Sequence, residues 1–118
     1  MAGAFALVEM IAYKYENMSH AGYTNVLWTC RDQICFQSPS RITGWHGSVT
    51  EHDGTMTLRF DCKGRTHRLK STFLMRSGVN SWSGIDYRGR TIKMTKLAFY
   101  QKLESEAQWT EIRERSRV

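Results

Sequence analysis

The sequence predicts a mainly β protein, an antiparallel meander of about seven strands that forms a small barrel or a strongly bent sheet. Three glycine-containing turns, at Asp53-Gly54, Lys63-Gly64 and Arg88-Gly89, lie between segments in which apolar and polar residues alternate. This alternation extends over residues 25–100. Successive strands joined by short links are typical of a meander. We also expect minor helical segments at the two ends of the chain.

Length and composition predict one soluble domain. A chain of 118 residues, 41% hydrophobic and 24% charged, is long enough to bury a single core. No apolar run approaches the roughly 20 residues of a membrane-spanning helix. The apolar stretch 2–12 lacks a basic start and contains Glu9, so it is a poor secretory signal. An odd count of three cysteines favours a reducing compartment, and we expect an intracellular protein, cytoplasmic or nuclear.

Residues 1–22 are predicted to be helical. Apolar side chains recur at three- and four-residue steps between residues 4 and 18, as they do along one face of a helix. The members of this stripe are Phe5, Val8, Ile11 or Ala12, Tyr15 and Met18. Gly22 is a suitable end for such a helix.

The β region begins with a strand whose apolar face carries Trp28, which we expect in the core. A short turn at 31–33 leads into a second strand at 34–36. The segment 38–40 contains the only proline of the sequence, and it separates this pair from the next strand.

The Asp53-Gly54 turn predicts the clearest hairpin of the sequence. A two-residue turn at this point places Val49 opposite Leu58 and Gly47 opposite Phe60. An aromatic ring that covers a strand glycine is a common way to stabilise such a pair.

A second two-residue turn is predicted at Lys63-Gly64. It places Leu58 opposite Leu69 and Met56 opposite Ser71. Both turns thus put Leu58 on one apolar face, which supports the predicted register.

The third hairpin is predicted at Arg88-Gly89 and pairs Ile85 with Ile92. After Met94 the apolar residues change phase, which indicates a β-bulge near Thr95-Lys96.

The chain is predicted to end in a short helix over residues 102–115. Leu103, Ala107 and Ile112 have helical spacing, whereas Trp109 does not fit their face. We expect the last few residues to be frayed.

Positive charge is concentrated in residues 59–96, which hold ten basic residues against two acidic ones, a net charge of +8. The predicted register puts Arg59 opposite Arg68 and Lys70 beside Thr57 on the polar face. Like charges directly opposite each other cost roughly 0.2–1 kcal/mol, and an anionic ligand would turn that repulsion into attraction. Such a block is typical of nucleic-acid binding, and a solubilising surface is the alternative interpretation.

Trp82 is the candidate aromatic of this surface. The predicted third hairpin places it on the polar face with Lys93, beside the small Gly84. Bases of single-stranded nucleic acid stack on such rings while Arg and Lys hold the phosphates. The alternative is that Trp82 covers one end of a barrel. The predicted nucleic-acid contacts are Arg59, Arg68, Lys70, Trp82, Arg88, Arg90 and Lys93.

Catalytic and metal sites receive less support from the sequence. The predicted register puts His46 opposite Asp61, whose carboxylate could orient the imidazole as a general base. His67, the candidate for a second acid–base group, falls on the other face of the predicted sheet, so the two histidines do not form one site. Structural zinc sites usually have two pairs of ligands, each pair close together in the sequence. Cys30 and Cys35 could form one such pair, but Cys62 is the only cysteine that follows them. We therefore predict no catalytic residues, no metal and no cofactor.

Two hypotheses follow from the sequence. The first is a non-enzymatic module that binds nucleic acid, RNA more than DNA, through a basic β-sheet face with an exposed aromatic. The second is a small β-barrel that holds an apolar small molecule or a protein partner. An open meander would also leave strand edges through which the chain could self-associate.

Overall fold

The computed structural model describes residues 6–20, 24–36, 47–60 and 70–112. Within these residues it is an all-β fold in which each strand pairs antiparallel with the next. The first and eighth strands also pair with each other, so eight strands form a closed barrel and the ninth lies outside it. The strands are β1 (Leu7–Asn17), β2 (Thr24–Cys30), β3 (Gln33–Cys35), β4 (Gly47–His52), β5 (Thr55–Phe60), β6 (Lys70–Arg76), β7 (Ser81–Ile85), β8 (Thr91–Leu103) and β9 (Thr110–Ile112).

The predicted antiparallel meander is confirmed, and of the two forms expected for it, a barrel or a strongly bent sheet, the barrel is observed. It has nine described strands rather than about seven, and both predicted helices are wrong. Among the described residues there is no helix, and hence none long and apolar enough to cross a membrane.

The N-terminal segment forms β1 because its apolar residues cover both faces of one strand. Tyr13 and Tyr15 point into the barrel, while Met10 and Ala12 are buried on its outside. A strand buried on both faces lacks simple alternation, so its apolar residues also fit three- and four-residue steps.

The C-terminal segment is extended because β8 continues to Leu103 and the chain then turns back. β9 pairs with β8, with Ile112 opposite Phe99. Trp109, which did not fit the predicted helix, packs on the outside of the barrel. Residues 113–118 lie outside the described residues.

The register of the first predicted hairpin is confirmed. Val49 lies opposite Leu58, and Gly47 lies opposite Phe60. The turn at Asp53-Gly54 has positive φ at both positions, 50° and 78°. These are the dihedral signs of a type I′ turn, whose twist matches that of the strands it joins.

The register predicted from the Lys63-Gly64 turn is wrong by three residues. Leu58 lies opposite Thr72 rather than Leu69, and Arg59 lies opposite Ser71 rather than Arg68. The turn itself falls in residues 61–69, outside the described residues. An odd shift moves every side chain of β6 to the other face of the sheet.

The third hairpin is shifted by one residue from its predicted register, because Ile85 lies opposite Thr91 rather than Ile92. The connection spans Asp86 to Arg90 instead of two residues. Gly89 donates its N–H to the carbonyl of Asp86 at 3.0 Å and has a φ of 77°. A turn followed by a glycine in the left-handed region adds one residue to the loop.

The predicted bulge in β8 is confirmed one residue beyond its expected position. Ala12 lies opposite Ala98 and Tyr13 opposite Lys96, so Leu97 is the extra residue.

Two apolar clusters lie on opposite faces of the sheet. The interior cluster lies inside the barrel and draws on all of the barrel strands except β4, whose Val49 packs against it: Tyr13, Tyr15, Leu27, Ile34, Met56, Leu58, Leu74, Trp82, Ile92 and Met94. The outer cluster covers part of the wall formed by β1, β2, β3 and β8: Met10, Ala12, Trp28 and Cys35, packed against Cys30, Ala98, Tyr100 and Trp109. Trp28 is therefore buried as predicted, but on the outside of the wall.

Candidate nucleic-acid interface

Four neighbouring strands present a continuous outward surface, which we call the β5–β8 face. It consists of the side chains that alternate with the buried residues of these strands. Its members are Thr55, Thr57 and Arg59 on β5, Ser71, Phe73 and Met75 on β6, Ser81, Ser83 and Ile85 on β7, and Thr91, Lys93 and Thr95 on β8. Seven of these twelve residues carry hydroxyl groups, and none carries a carboxylate.

The centre of the β5–β8 face is apolar and exposed. Phe73 and Ile85 are directly opposite each other on β6 and β7, and each is 57% exposed. Met75, 67% exposed, is the next outward residue of β6 after Phe73. A contiguous apolar patch in contact with solvent is typical of a binding surface.

Two cations flank this apolar centre. Arg59 is exposed and lies opposite Ser71, one outward position before Phe73. Lys93 is exposed and lies opposite Ser83, whose other neighbour is Met75. The exposed aromatic ring is thus placed between two positive charges.

The turn between β7 and β8 adds two arginines at one end of the face. The guanidinium of Arg88 lies 5.3 Å from the centroid of the Tyr87 ring, and Tyr87 is itself partly exposed. Arg90 instead donates from Nε to Oδ2 of Asp86 at 2.7 Å. This hydrogen bond raises the pKa of Arg90, and it commits the side chain to the turn.

Trp82 does not occupy the exposed position predicted for it. It points into the barrel with 6% of its surface exposed, and its ring meets that of Tyr13 edge to face at 5.6 Å. The one-residue shift of the third hairpin is the cause, because it moves Trp82 inward beside Met94 and leaves Lys93 outward. Trp82 is therefore part of the interior cluster, which is nearer to the alternative interpretation, a cover on one end of the barrel, than to an exposed stacking surface.

The remaining predicted contacts are only partly described. Arg68 lies outside the described residues. Lys70 begins β6 opposite Phe60 rather than beside Thr57, and its side chain is not among those described. Of the seven predicted contacts, Arg59, Lys93 and Arg88 are the exposed cations on or beside the β5–β8 face.

Phe73 is the surface residue that sequence reasoning missed. Residues 69–75 carry apolar side chains at both odd and even positions, so alternation alone did not choose between the two faces of β6. A signal was present at the third hairpin, where Asp86 and Gly89 are the residues preferred at the first and fourth positions of a type I turn. This signal predicts the observed loop length, and with it which side chains of β7 point inward.

The residues considered for catalysis and metal binding give no assembled site. His46, Asp61, Cys62 and His67 all lie outside the described residues. Cys35 belongs to the outer cluster, and Cys30 packs against it. Within the described ranges, no three histidine, cysteine, aspartate or glutamate residues are grouped as metal ligands.

No family model, curated protein or solved structure matches this chain. Evidence on its function therefore comes from the geometry and charge of the chain itself.

Proposed function

We propose that this protein is a non-enzymatic module that binds single-stranded nucleic acid, RNA in particular, through the β5–β8 face. The single observation that carries the proposal is the exposed ring of Phe73 between Arg59 and Lys93. Phe73 takes the stacking role that the sequence had suggested for Trp82. Bases stack on exposed aromatic rings, whereas arginine and lysine hold the phosphates.

Charge and hydrogen-bonding capacity favour a polyanion over a neutral partner. The β5–β8 face has no carboxylate to repel phosphate, and its hydroxyl groups can donate to phosphate or ribose oxygens. Arg88 extends the positive charge along one end. A single strand is favoured over a duplex because only unpaired bases offer their faces to Phe73.

The test is a fluorescence anisotropy titration of a labelled 12-nucleotide RNA at two salt concentrations. Phe73→Ala should weaken binding by roughly 5- to 100-fold, the usual value of one stacked base. The matched control is Val79→Ala, which truncates an exposed apolar side chain in the loop before β7 and should leave affinity unchanged. Absence of saturable binding, or equal effects of the two substitutions, would remove the proposal.

A second pair of variants tests the phosphate contacts. Arg59→Ala combined with Lys93→Ala should lower affinity and reduce the slope of log K against log salt by roughly 1.4, at about 0.7 per phosphate contact. Arg31→Ala, in the turn between β2 and β3, is the control cation away from this face. An unchanged slope in the double variant would exclude Arg59 and Lys93 as phosphate contacts.

A second candidate function is a small ligand inside the barrel, and one observation favours it. Trp82 Nε1 and Thr72 Oγ1 are both buried and have no hydrogen-bond partner within the described part of the chain. The interior is lined mainly by apolar side chains. Burial there, together with the charge of Glu51, raises the pKa of Tyr13 to about 12 despite a hydrogen bond with Thr29. An apolar ligand with one acceptor atom would satisfy the indole N–H. Trp82→Phe should abolish binding of such a ligand and leave RNA binding unchanged.

A further inference from the structure

Phe73 and Ile85 together form one exposed apolar surface, which we call the apolar platform. They are directly opposite each other on β6 and β7, and Cβ atoms in such pairs lie roughly 4.5–5.5 Å apart on the same face. Each side chain is 57% exposed, so more than half of its surface is in contact with solvent. The apolar platform is therefore wider than one aromatic ring, and its long direction crosses the strands.

Hydroxyl groups lie at both ends of the apolar platform. Thr57 on β5 is opposite Phe73, and Thr91 on β8 is opposite Ile85. A threonine hydroxyl both donates and accepts hydrogen bonds, so it can pair with either kind of polar group on the edge of a base. The two ends therefore suit a flat group with polar edges, and they do not require one particular order of donors and acceptors.

One cation lies diagonally beside each half of the apolar platform. On β5, Arg59 is the diagonal neighbour of Phe73. On β8, Lys93 is the diagonal neighbour of Ile85. Diagonal neighbours on one face of a sheet are roughly 7–8 Å apart, within reach of long side chains. The two cations lie on opposite sides of the apolar platform, where the phosphates on either side of a single base would be.

Both cations are without an ion pair within the described residues. Glu16 on β1 lies opposite Lys93, but its Oε1 atom is 3.5 Å from Nζ of Lys14 on the same strand. A carboxylate at this position repels phosphate, so Glu16 marks the limit of the β5–β8 face on the side of β1.

We propose that the β5–β8 face selects a purine nucleotide within the bound single strand, an inference that rests on the proposed function. Any base can stack one ring on Phe73, but only a purine has a second ring that extends over Ile85. The hydroxyls at the two ends accept adenine and guanine alike, because they suit either kind of polar edge. Arg59 and Lys93 hold the phosphates on the two sides of this nucleotide.

The test is a fluorescence anisotropy titration of four labelled RNA pentamers that contain uridine except at the third position. That position is adenosine, guanosine, cytidine or uridine. The two purine pentamers should bind roughly 3- to 10-fold more tightly than the two pyrimidine pentamers, the value of a small additional apolar contact. Equal affinity for all four would overturn purine selection and leave the proposed function standing. Absence of binding by every pentamer would also overturn it, and the 12-nucleotide RNA then decides whether the proposed function falls as well.

Matched variants assign the preference to Ile85. Ile85→Ala should lower the affinity of the purine pentamers to that of the pyrimidine pentamers and leave the latter unchanged, whereas Phe73→Ala should weaken all four. Ile85→Leu keeps a large apolar side chain and should keep the preference. Val79→Ala, at an exposed apolar position in the loop before β7, should change none of the affinities. A purine preference that survives Ile85→Ala would overturn the role of the apolar platform, and far-UV circular dichroism checks that each variant is folded.

Discussion

The buried carboxylate of Asp86 organises the turn between β7 and β8. Its Oδ1 accepts hydrogen bonds from the backbone N–H groups of Arg88 and Arg90, both at 2.9 Å, and its Oδ2 accepts from Arg90 Nε. Burial raises the pKa of Asp86, but these hydrogen bonds lower it by a larger amount. The pKa of Asp86 therefore lies below its ordinary value. The side chain thereby fixes the loop length, and the loop length fixes which faces of β7 and β8 point inward.

Asp86→Asn should destabilise the fold by about 1–3 kcal/mol at pH 7, because hydrogen bonds to a charged group are lost. The pKa of Asp86 is lower in the folded chain than in the unfolded one, so its contribution is fully present above the unfolded value of about 3.9 and is lost as pH falls through the folded pKa. Urea unfolding from pH 7 to pH 2 should therefore show the two proteins converge in stability at low pH.

Asp53→Asn is the control for this experiment. Asp53 is an exposed turn residue with positive φ, which asparagine also adopts, and the substitution should change stability by less than about 0.5 kcal/mol. A difference between wild type and Asp86→Asn that is the same at every pH would contradict the role given to the ionised carboxylate.

At the scale of strands, the sequence predicted registers well only where the turn chemistry allowed a single solution. The Asp53-Gly54 turn allowed a single register, because few residue pairs adopt positive φ at both positions of a two-residue turn. The glycine of Arg88-Gly89 was recognised, but the extra residue introduced by the Asp86 turn was not. One residue was enough to exchange the inward and outward faces of the strand.

The same physical reason limited prediction of the candidate site. Arg59, Lys93 and Arg88 were selected by charge, which does not depend on register. Trp82 and Phe73 exchanged roles because their faces do depend on it. Apolar residues on both faces of β1 likewise removed the alternation that identifies a strand.

Deleting Leu97 should leave the barrel folded. Without this bulge residue, Lys96 and Ala98 become neighbours on β8, and their partners Tyr13 and Ala12 are already neighbours on β1, so the pairing becomes regular. We expect a change in the free energy of unfolding within roughly 1 kcal/mol. Deleting Lys93 from the regular part of β8 should instead cost more than about 3 kcal/mol, because it forces Ile92 or Met94 out of the interior. Urea unfolding of both variants checks this, and equal losses would contradict the assignment of the bulge.

For the whole molecule, the barrel and the outer cluster are separate units of packing. Closure depends on the ladder between β1 and β8, which runs from Leu7 opposite Leu103 to Asn17 opposite Ile92. Within the described residues, β9 contributes three pairs with β8, whereas Trp109 before it helps to cover the outer cluster. Within the described residues, the segment 104–112 is therefore a cover on the barrel rather than part of its closure.

Removing residues 104–118 should keep the barrel closed, since every pair between β1 and β8 remains. The loss of the Trp109 contacts and the exposure of Trp28 and Tyr100 should lower stability by about 2–3 kcal/mol and increase binding of a hydrophobic dye. Far-UV circular dichroism, urea unfolding and dye fluorescence measure these effects. A chain lacking only residues 113–118 is the reference against which the effect of removing residues 104–112 is measured. If the longer truncation loses its β spectrum, β9 belongs to the closure of the barrel, and if its stability is unchanged, the segment does not cover the outer cluster.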